Sequence, residues 1–294
     1  MIELCQQLDG GLTRGFGGDT LNTAVYLARL GAAVDYATAL GNDPWSDEMV
    51  AAWEAEGVGT GLVRRLPGSL PGLYIIQTDA LGERRFHYWR DNSAARRMFS
   101  GPGGADLLGR LEGYDVLYLS GITLSILDGA GRAGLFGAVD RVRARGGRLV
   151  FDTNFRPRGW PDLDAARTLY RQALARSDIV LASTEDLAPL FGPMGEGELL
   201  HHAAGAERVL KLARPAVQVI QAGALVLVEA DPVDPVADTT AAGDSFAAAY
   251  LMARLLGHSP AAAARSGHRL AGAVVAHRGA IIPRCAMPPP ETPT

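Results

Sequence analysis

The chain has 294 residues, 48% of them hydrophobic, and a formal net charge of −4. That length and apolar content suit one large α/β domain with a small appendage, and the mild acidity offers no basic field for nucleic acid or a membrane surface. Of the 28 basic residues only Lys211 is lysine, and the two cysteines, Cys5 and Cys285, lie near opposite ends, a usage that suggests neither a disulfide framework nor a metal site.

The start, Met1-Ile2-Glu3-Leu4, has neither a basic region nor a long apolar segment, so no signal peptide is expected. No apolar run reaches the roughly 18–20 residues that span a bilayer. A cytoplasmic protein is the expectation. Gly15-Phe16-Gly17-Gly18-Asp19 then leads into a helix over 21–30, closed by Gly31. A strand over 34–39 and a helix over 45–56 follow. Next come two strand-like runs, 73–78 and 84–89, joined by Asp79-Ala80-Leu81-Gly82-Glu83, which read as a β-hairpin. The hairpin carries Tyr74, Phe86, His87, Tyr88 and Trp89, more aromatics than a casual surface loop. It is expected to cover the C-terminal ends of the core strands, where ligands bind in such sheets; packing on the core or on another subunit is the plainer alternative.

Strands over 115–120, 148–152 and 178–182 alternate with helices over 130–145 and 164–176. Two further strands lie at 217–221 and 224–229. This alternation predicts βαβ units around a mostly parallel sheet with helices on both faces. The last residues, 287–294, are rich in proline and are expected to be disordered.

Asp238-Thr239-Thr240-Ala241-Ala242-Gly243-Asp244 runs into an apolar helix over 246–256. Backbone N–H groups of Ala241, Ala242 and Gly243 at a helix start attract anions, and their small side chains admit a phosphate. An acid inside such a turn repels phosphate, but it makes sense as a base for a hydroxyl that attacks the phosphate. The plainer reading of Asp244 is a helix N-cap. Tyr88 and Arg90 lie two apart on a strand and share a face, with Tyr74 on the partner strand. Arg156 lies just past a core strand. Two such arginines suit a substrate carboxylate, against surface ion pairs and packed aromatics as the alternative.

The string D-T-x-x-A-G-D, carried here by Asp238 to Asp244, resembles the signature of the ribokinase-like (PfkB-type) sugar kinases. Gly17-Gly18 followed by a helix bearing Asn22 resembles that family's sugar-binding motif. Arg14–Thr23, Leu70–Tyr74, Gly82–Arg90, Leu117–Ile122, Phe151–Trp160 and Arg278–Arg284 resemble the branch that phosphorylates 2-keto-3-deoxygluconate on its 6-hydroxyl. The resemblance implies a ribokinase-like three-layer α/β sandwich over 1–286, with a small β lid at about 70–92. It implies ATP and Mg²⁺, with Asp244 as the base and the 241–243 turn as an anion hole. It places the sugar acid on Gly17, Gly18, Asp19, Asn22, Tyr74, Tyr88, Arg90 and Arg156. The nucleotide falls near Asn154, Arg156 and Lys211, and Asp186 takes the acid position of a metal-associated motif. A homo-oligomer formed through the lid is expected, with no nucleic-acid or membrane partner.

Two departures accompany the resemblance. It implies a strand ending in Gly-Glu ahead of Met1, most of which this chain lacks. Ala213 and Ala216 stand where the family's K-x-G-x-x-G turn has glycines; a positive φ at either would cost about 1–2 kcal/mol, and Pro215 removes a donor. A related kinase for another sugar or sugar acid, or a ligand-binding but catalytically impaired relative, therefore stays open at this level.

Overall fold

Side-chain alternation sets the layers. Along Arg148–Asp152, Leu149 and Phe151 enter one apolar cluster and Val150 the other; along Ile179–Ser183, Val180 and Ala182 enter the first, Ile179 and Leu181 the second. A strand buried on both faces needs a helical layer on each side. The computed structural model, which describes residues 1–6, 10–78 and 84–289, has that architecture. Its strands are β1 Ile2–Gln6, β2 Leu12–Phe16, β3 Thr38–Leu40, β4 Val63–Arg65, β5 Leu73–Thr78, β6 Arg84–Trp89, β7 Val116–Ser120, β8 Arg148–Asp152, β9 Ile179–Ser183, β10 Glu207–Lys211, β11 Ala216–Gln221 and β12 Ala224–Glu229. The helices are α1 Asp19–Arg29, α2 Pro44–Ala55, α3 Pro102–Leu111, α4 Gly121–Ile126, α5 Gly129–Ala144, α6 Leu163–Arg176, α7 Thr184–Phe191, α8 Gly195–His202, α9 Ala242–Leu255 and α10 Pro260–Val275.

The main sheet has the order β12-β11-β10-β9-β8-β7. Strands β7 to β10 are parallel, and β11 and β12 continue antiparallel. Residues from α3, α5, α6, α7 and α8 cover one face, and residues from α1, α9 and α10 the other. The expected three layers are present. Strand β10 went unread in the sequence because Glu207, Arg208 and Lys211 interrupt its apolar pattern. Glu207 is buried there against Arg254 at 2.7 Å and the Tyr250 hydroxyl at 2.6 Å, a pairing that offsets the cost of burying its charge.

The hairpin β5–β6 forms with Tyr74 opposite Tyr88; its connecting residues 79–83 lie outside the described residues. It is half of a larger cover than expected. The order β2-β1-β5-β6 adds β1, parallel to β5, and β2, antiparallel to β1. Arg14 on β2 ties this cover to the body, stacking 4.5 Å over Trp45 and pairing with Glu48 on α2.

The strand expected over 34–39 shrinks to β3, paired only with β4, while Asp35 makes a single bridge to Gly59. β3 and β7 both border an apolar cavity of about 280 Å³ lined in part by Met1, Tyr36, Leu40, Leu117 and Leu119. The Met1 ammonium donates to the Gly17 carbonyl at 2.8 Å, and burial pushes it down to about 5. Of the proline-rich end, Met287 packs against the second cluster, and 290–294 lie outside the described residues. No described helix is long and apolar enough to cross a membrane.

Candidate active site

Two helix starts meet at the C-terminal edge of the sheet. Asp19 opens α1, and Asn22 follows one turn on; Asp244 opens α9. Although 222 positions apart, Asn22 Nδ2 donates to Asp244 Oδ2 at 2.8 Å. Thr23 adds a bond to the Asp244 carbonyl at 3.3 Å. Asn22 is buried, and its Oδ1 has no hydrogen-bond partner among the described residues. An orphaned buried acceptor beside a carboxylate is a place for a ligand hydroxyl. Asp19 Oδ2 accepts from Asn154 Nδ2 at 2.9 Å and from the Ser120 hydroxyl.

Burial pushes the Asp244 carboxyl up to about 7, and the neighbouring Asp19 charge adds to the rise; the Asn22 bond and Lys211 oppose it. A carboxylate poised near 7 is well placed to take a proton from an alcohol. It is not an N-cap: the cap of α9 is Ala241, at φ 60° and ψ 14°. Asp238 holds the preceding turn, accepting from Thr240 N at 2.8 Å and from Gly279 N at 2.6 Å. The D-T and R-G-A motifs therefore meet on one carboxylate. The expected anion hole is partly corrected. The Ala242 N–H closes the turn onto the Thr239 carbonyl at 3.2 Å, which engages it within the protein.

Ala241 bears the conformational cost of this turn, since a left-handed alanine is disfavoured by about 1–2 kcal/mol. Ala241→Gly is expected to raise unfolding free energy by about 1 kcal/mol in urea denaturation; a loss of stability would contradict the strained geometry.

Beneath the cover, Tyr74 and Tyr88 have ring centroids 6.0 Å apart, and the Arg90 guanidinium lies 4.5 Å over the Tyr88 ring. The expected shared face is present. The Tyr74 hydroxyl bonds Glu3 Oε2, and burial together with Glu3 raises its pKa. A side chain at Gly17 would collide with that hydroxyl, so this approach requires glycine. Gly18 is the residue immediately before α1.

Half-exposed, Arg156 pairs with Asp186 Oδ1 at 3.2 Å. Asp186 Oδ2 accepts from Thr153 Oγ1 at 2.8 Å, so both oxygens of this metal candidate are engaged. Among the described residues no group of three or more His, Cys, Asp or Glu could hold a metal ion. Lys211 lies at the end of β10, its Nζ 3.7 Å from Asp152 Oδ2 and 3.4 Å from where a Cβ on Gly243 would stand. Ala213 and Ala216 both avoid positive φ, so the expected strain in the 211–216 turn does not arise.

Glu3, Thr23, Tyr118, Ser120 and Asp152 were missed as site residues. Tyr118, Ser120 and Asp152 sit inside the motifs L-Y-L-S-G and F-D-x-N, which were noted without roles; the buried Tyr118 hydroxyl donates to Asp152 Oδ2 at 3.2 Å. Thr23 closes the motif over Arg14–Thr23, likewise without a role there, and for Glu3 only the register of β1 carries the signal.

A base beside an anion-attracting helix start, under a β cover, is the equipment of a phosphotransferase acting on a hydroxyl. The chain belongs to the pfkB family of carbohydrate kinases, whose family description, "pfkB family carbohydrate kinase", matches residues 5–286. It is 47% identical to a 2-dehydro-3-deoxygluconokinase of Dickeya dadantii, covering 98% of this chain and 96% of that protein. It is 44% identical to the 2-dehydro-3-deoxygluconokinase of Escherichia coli K12, with the same coverage. A fructokinase with bound ATP from Xylella fastidiosa superposes with a TM-score of 0.81 at 25% identity, over 98% of this chain and 92% of that one.

Proposed function

We propose that this protein transfers the γ-phosphoryl group of ATP to the 6-hydroxyl of 2-keto-3-deoxygluconate, giving 2-keto-3-deoxy-6-phosphogluconate, with residues 1–286 as one catalytic unit. The observation that carries the reading is the Asn22–Asp244 pair: a carboxylate raised to about 7 beside an orphaned buried acceptor. In this reading the 6-hydroxyl lies against Asp244, which takes its proton as the oxygen attacks phosphorus, and another hydroxyl of the sugar donates to Asn22 Oδ1. Gly17 and Gly18 let the sugar approach the backbone, and Asp19 and Asn22 hold its hydroxyls. Arg90, stacked on Tyr88 beside Tyr74, meets the carboxylate at the other end, with Arg156 at the rim.

The helix start at 241–243, left-handed at Ala241 alone, suits the triphosphate together with Lys211 and Asn154, since small residues and a cation surround it. Mg²⁺ would be held there mainly by phosphate oxygens and water, with Asp186 the nearby carboxylate, and would neutralise phosphate charge. Two relatives named for this same sugar acid at 44–47% identity support the substrate.

An ADP-release assay with 2-keto-3-deoxygluconate, ribose, fructose and adenosine tests the reading. Turnover is expected on the keto-acid; turnover confined to another acceptor would refute the substrate.

The cytoplasm is the proposed location. A homo-oligomer through the lid is proposed because Leu12 and Trp89 are exposed on the cover, on its outer strands β2 and β6. Light scattering at micromolar concentration is expected to give a multimer, and a monomer would contradict this interface.

A further inference from the structure

Twenty-eight positions carry a basic side chain, and only position 211 keeps lysine. Elsewhere in this chain arginine supplies the positive charge, including the buried-acid pair Arg254–Glu207 and the carboxylate pairs on the surface. A site that departs from that usage asks for something a guanidinium does not supply. Lysine offers a compact ammonium with three donors on a flexible stem; arginine offers a wide planar fork.

The surroundings of Lys211 fit that distinction. Its side chain is about one-fifth exposed, and Nζ sits between a buried carboxylate, Asp152 Oδ2 at 3.7 Å, and the first turn of α9 at Gly243. The 3.7 Å separation is beyond a normal hydrogen bond, so the ammonium is tethered by charge with its donors uncommitted to Asp152. Asp152 is itself fixed. Oδ1 accepts the N–H of Asn154, a residue in the left-handed region at φ 27°, at 3.1 Å, and Oδ2 accepts the Tyr118 hydroxyl at 3.2 Å. Lys211 lies within electrostatic reach of both Asp152 and Asp244 and favours their ionised forms. With Asp19 and Asp186 also close to Asp152, this edge of the sheet holds a surplus of acids. A polyanionic co-substrate entering it needs a cation that is free to turn toward it.

We propose that Lys211 is a mobile charge specific to the phosphates, and that Asp152 is the positioning residue that holds its ammonium over the start of α9 while that site is empty. When the triphosphate binds, the ammonium swings from Asp152 to the phosphate oxygens and stays with the phosphoryl group as it passes to the acceptor. No covalent bond forms to either residue. The proposal rests on the kinase reading above but not on which sugar accepts the phosphoryl group.

A single lysine makes the test direct. Protein grown with [ε-¹³C]lysine gives one side-chain NMR signal. A β,γ-imido analogue of ATP with Mg²⁺ is expected to move that signal, and adenosine is expected to leave it in place. In Asp152→Asn the signal of the ligand-free protein should already be displaced. Lys211→Arg should lower kcat at least about tenfold with the KM for the acceptor sugar unchanged, a split that general structural damage does not give. A signal unmoved by the analogue in the wild-type protein, or a Lys211→Arg variant with near-normal kcat, would overturn the proposal. If the signal moves but the keto-acid is not phosphorylated, the substrate assignment fails and the role of Lys211 stands.

Discussion

Asp244→Asn is expected to lower kcat by roughly 10²–10⁴-fold, the usual contribution of a positioned general base, while leaving the fold intact. Asparagine keeps an oxygen for Asn22 Nδ2, loses the charge and puts an amide donor in place of the other oxygen. The same substitution should stabilise the protein at alkaline pH. The carboxyl is raised from 3.8 to about 7 by burial and by Asp19. Ionised Asp244 therefore costs the folded state free energy above pH 7, and that cost is relieved as pH falls from about 7 toward 4. Removing the charge should gain on the order of 2 kcal/mol at pH 8, less at pH 5. For activity the sign is opposite, because only the ionised form accepts a proton. kcat/KM of the native enzyme should rise through about pH 7 to a plateau, and a rate independent of pH between 5 and 9 would remove Asp244 from the chemistry.

Arg90→Gln is expected to raise KM for the keto-acid by about 10- to 100-fold, the range for losing a hydrogen bond to a charged group. The guanidinium stacked at 4.5 Å over Tyr88 is held at the cover, so its loss should act on binding more than on kcat. A neutral acceptor lacking the carboxylate should bind the variant and the native enzyme alike. Steady-state kinetics on both acceptors checks this; equal losses on both would mean that Arg90 only supports the cover.

The parts of the fold that could be read in advance are those with unbroken local patterns. β8, a buried run, and β12, a mostly exposed apolar run after a glycine, match the sequence expectation to the residue, as do both strands of the lid hairpin. β10 was lost because its acid and bases find partners only in three dimensions, through Arg254 and Asp152. β1 and β2 were lost because their short mixed sequences gain meaning only beside β5. At the site, Asp244 and Asn22 announce themselves by motif, while the bond between them depends on α1 packing against α9. Arg156 lies past a core strand, as its place in the sequence implies, but the direction of its side chain depends on Asp186, one βα unit later.

Phosphoryl transfer to one hydroxyl of one sugar acid can be read from the product itself. The protein would be incubated with Mg·ATP and ¹³C-labelled 2-keto-3-deoxygluconate, and the product examined by ³¹P and ¹³C NMR. Phosphorus coupling at the C6 methylene, with one ADP formed per phosphate ester, is the predicted result. Phosphate on another carbon, or release of inorganic phosphate alone, would contradict the account.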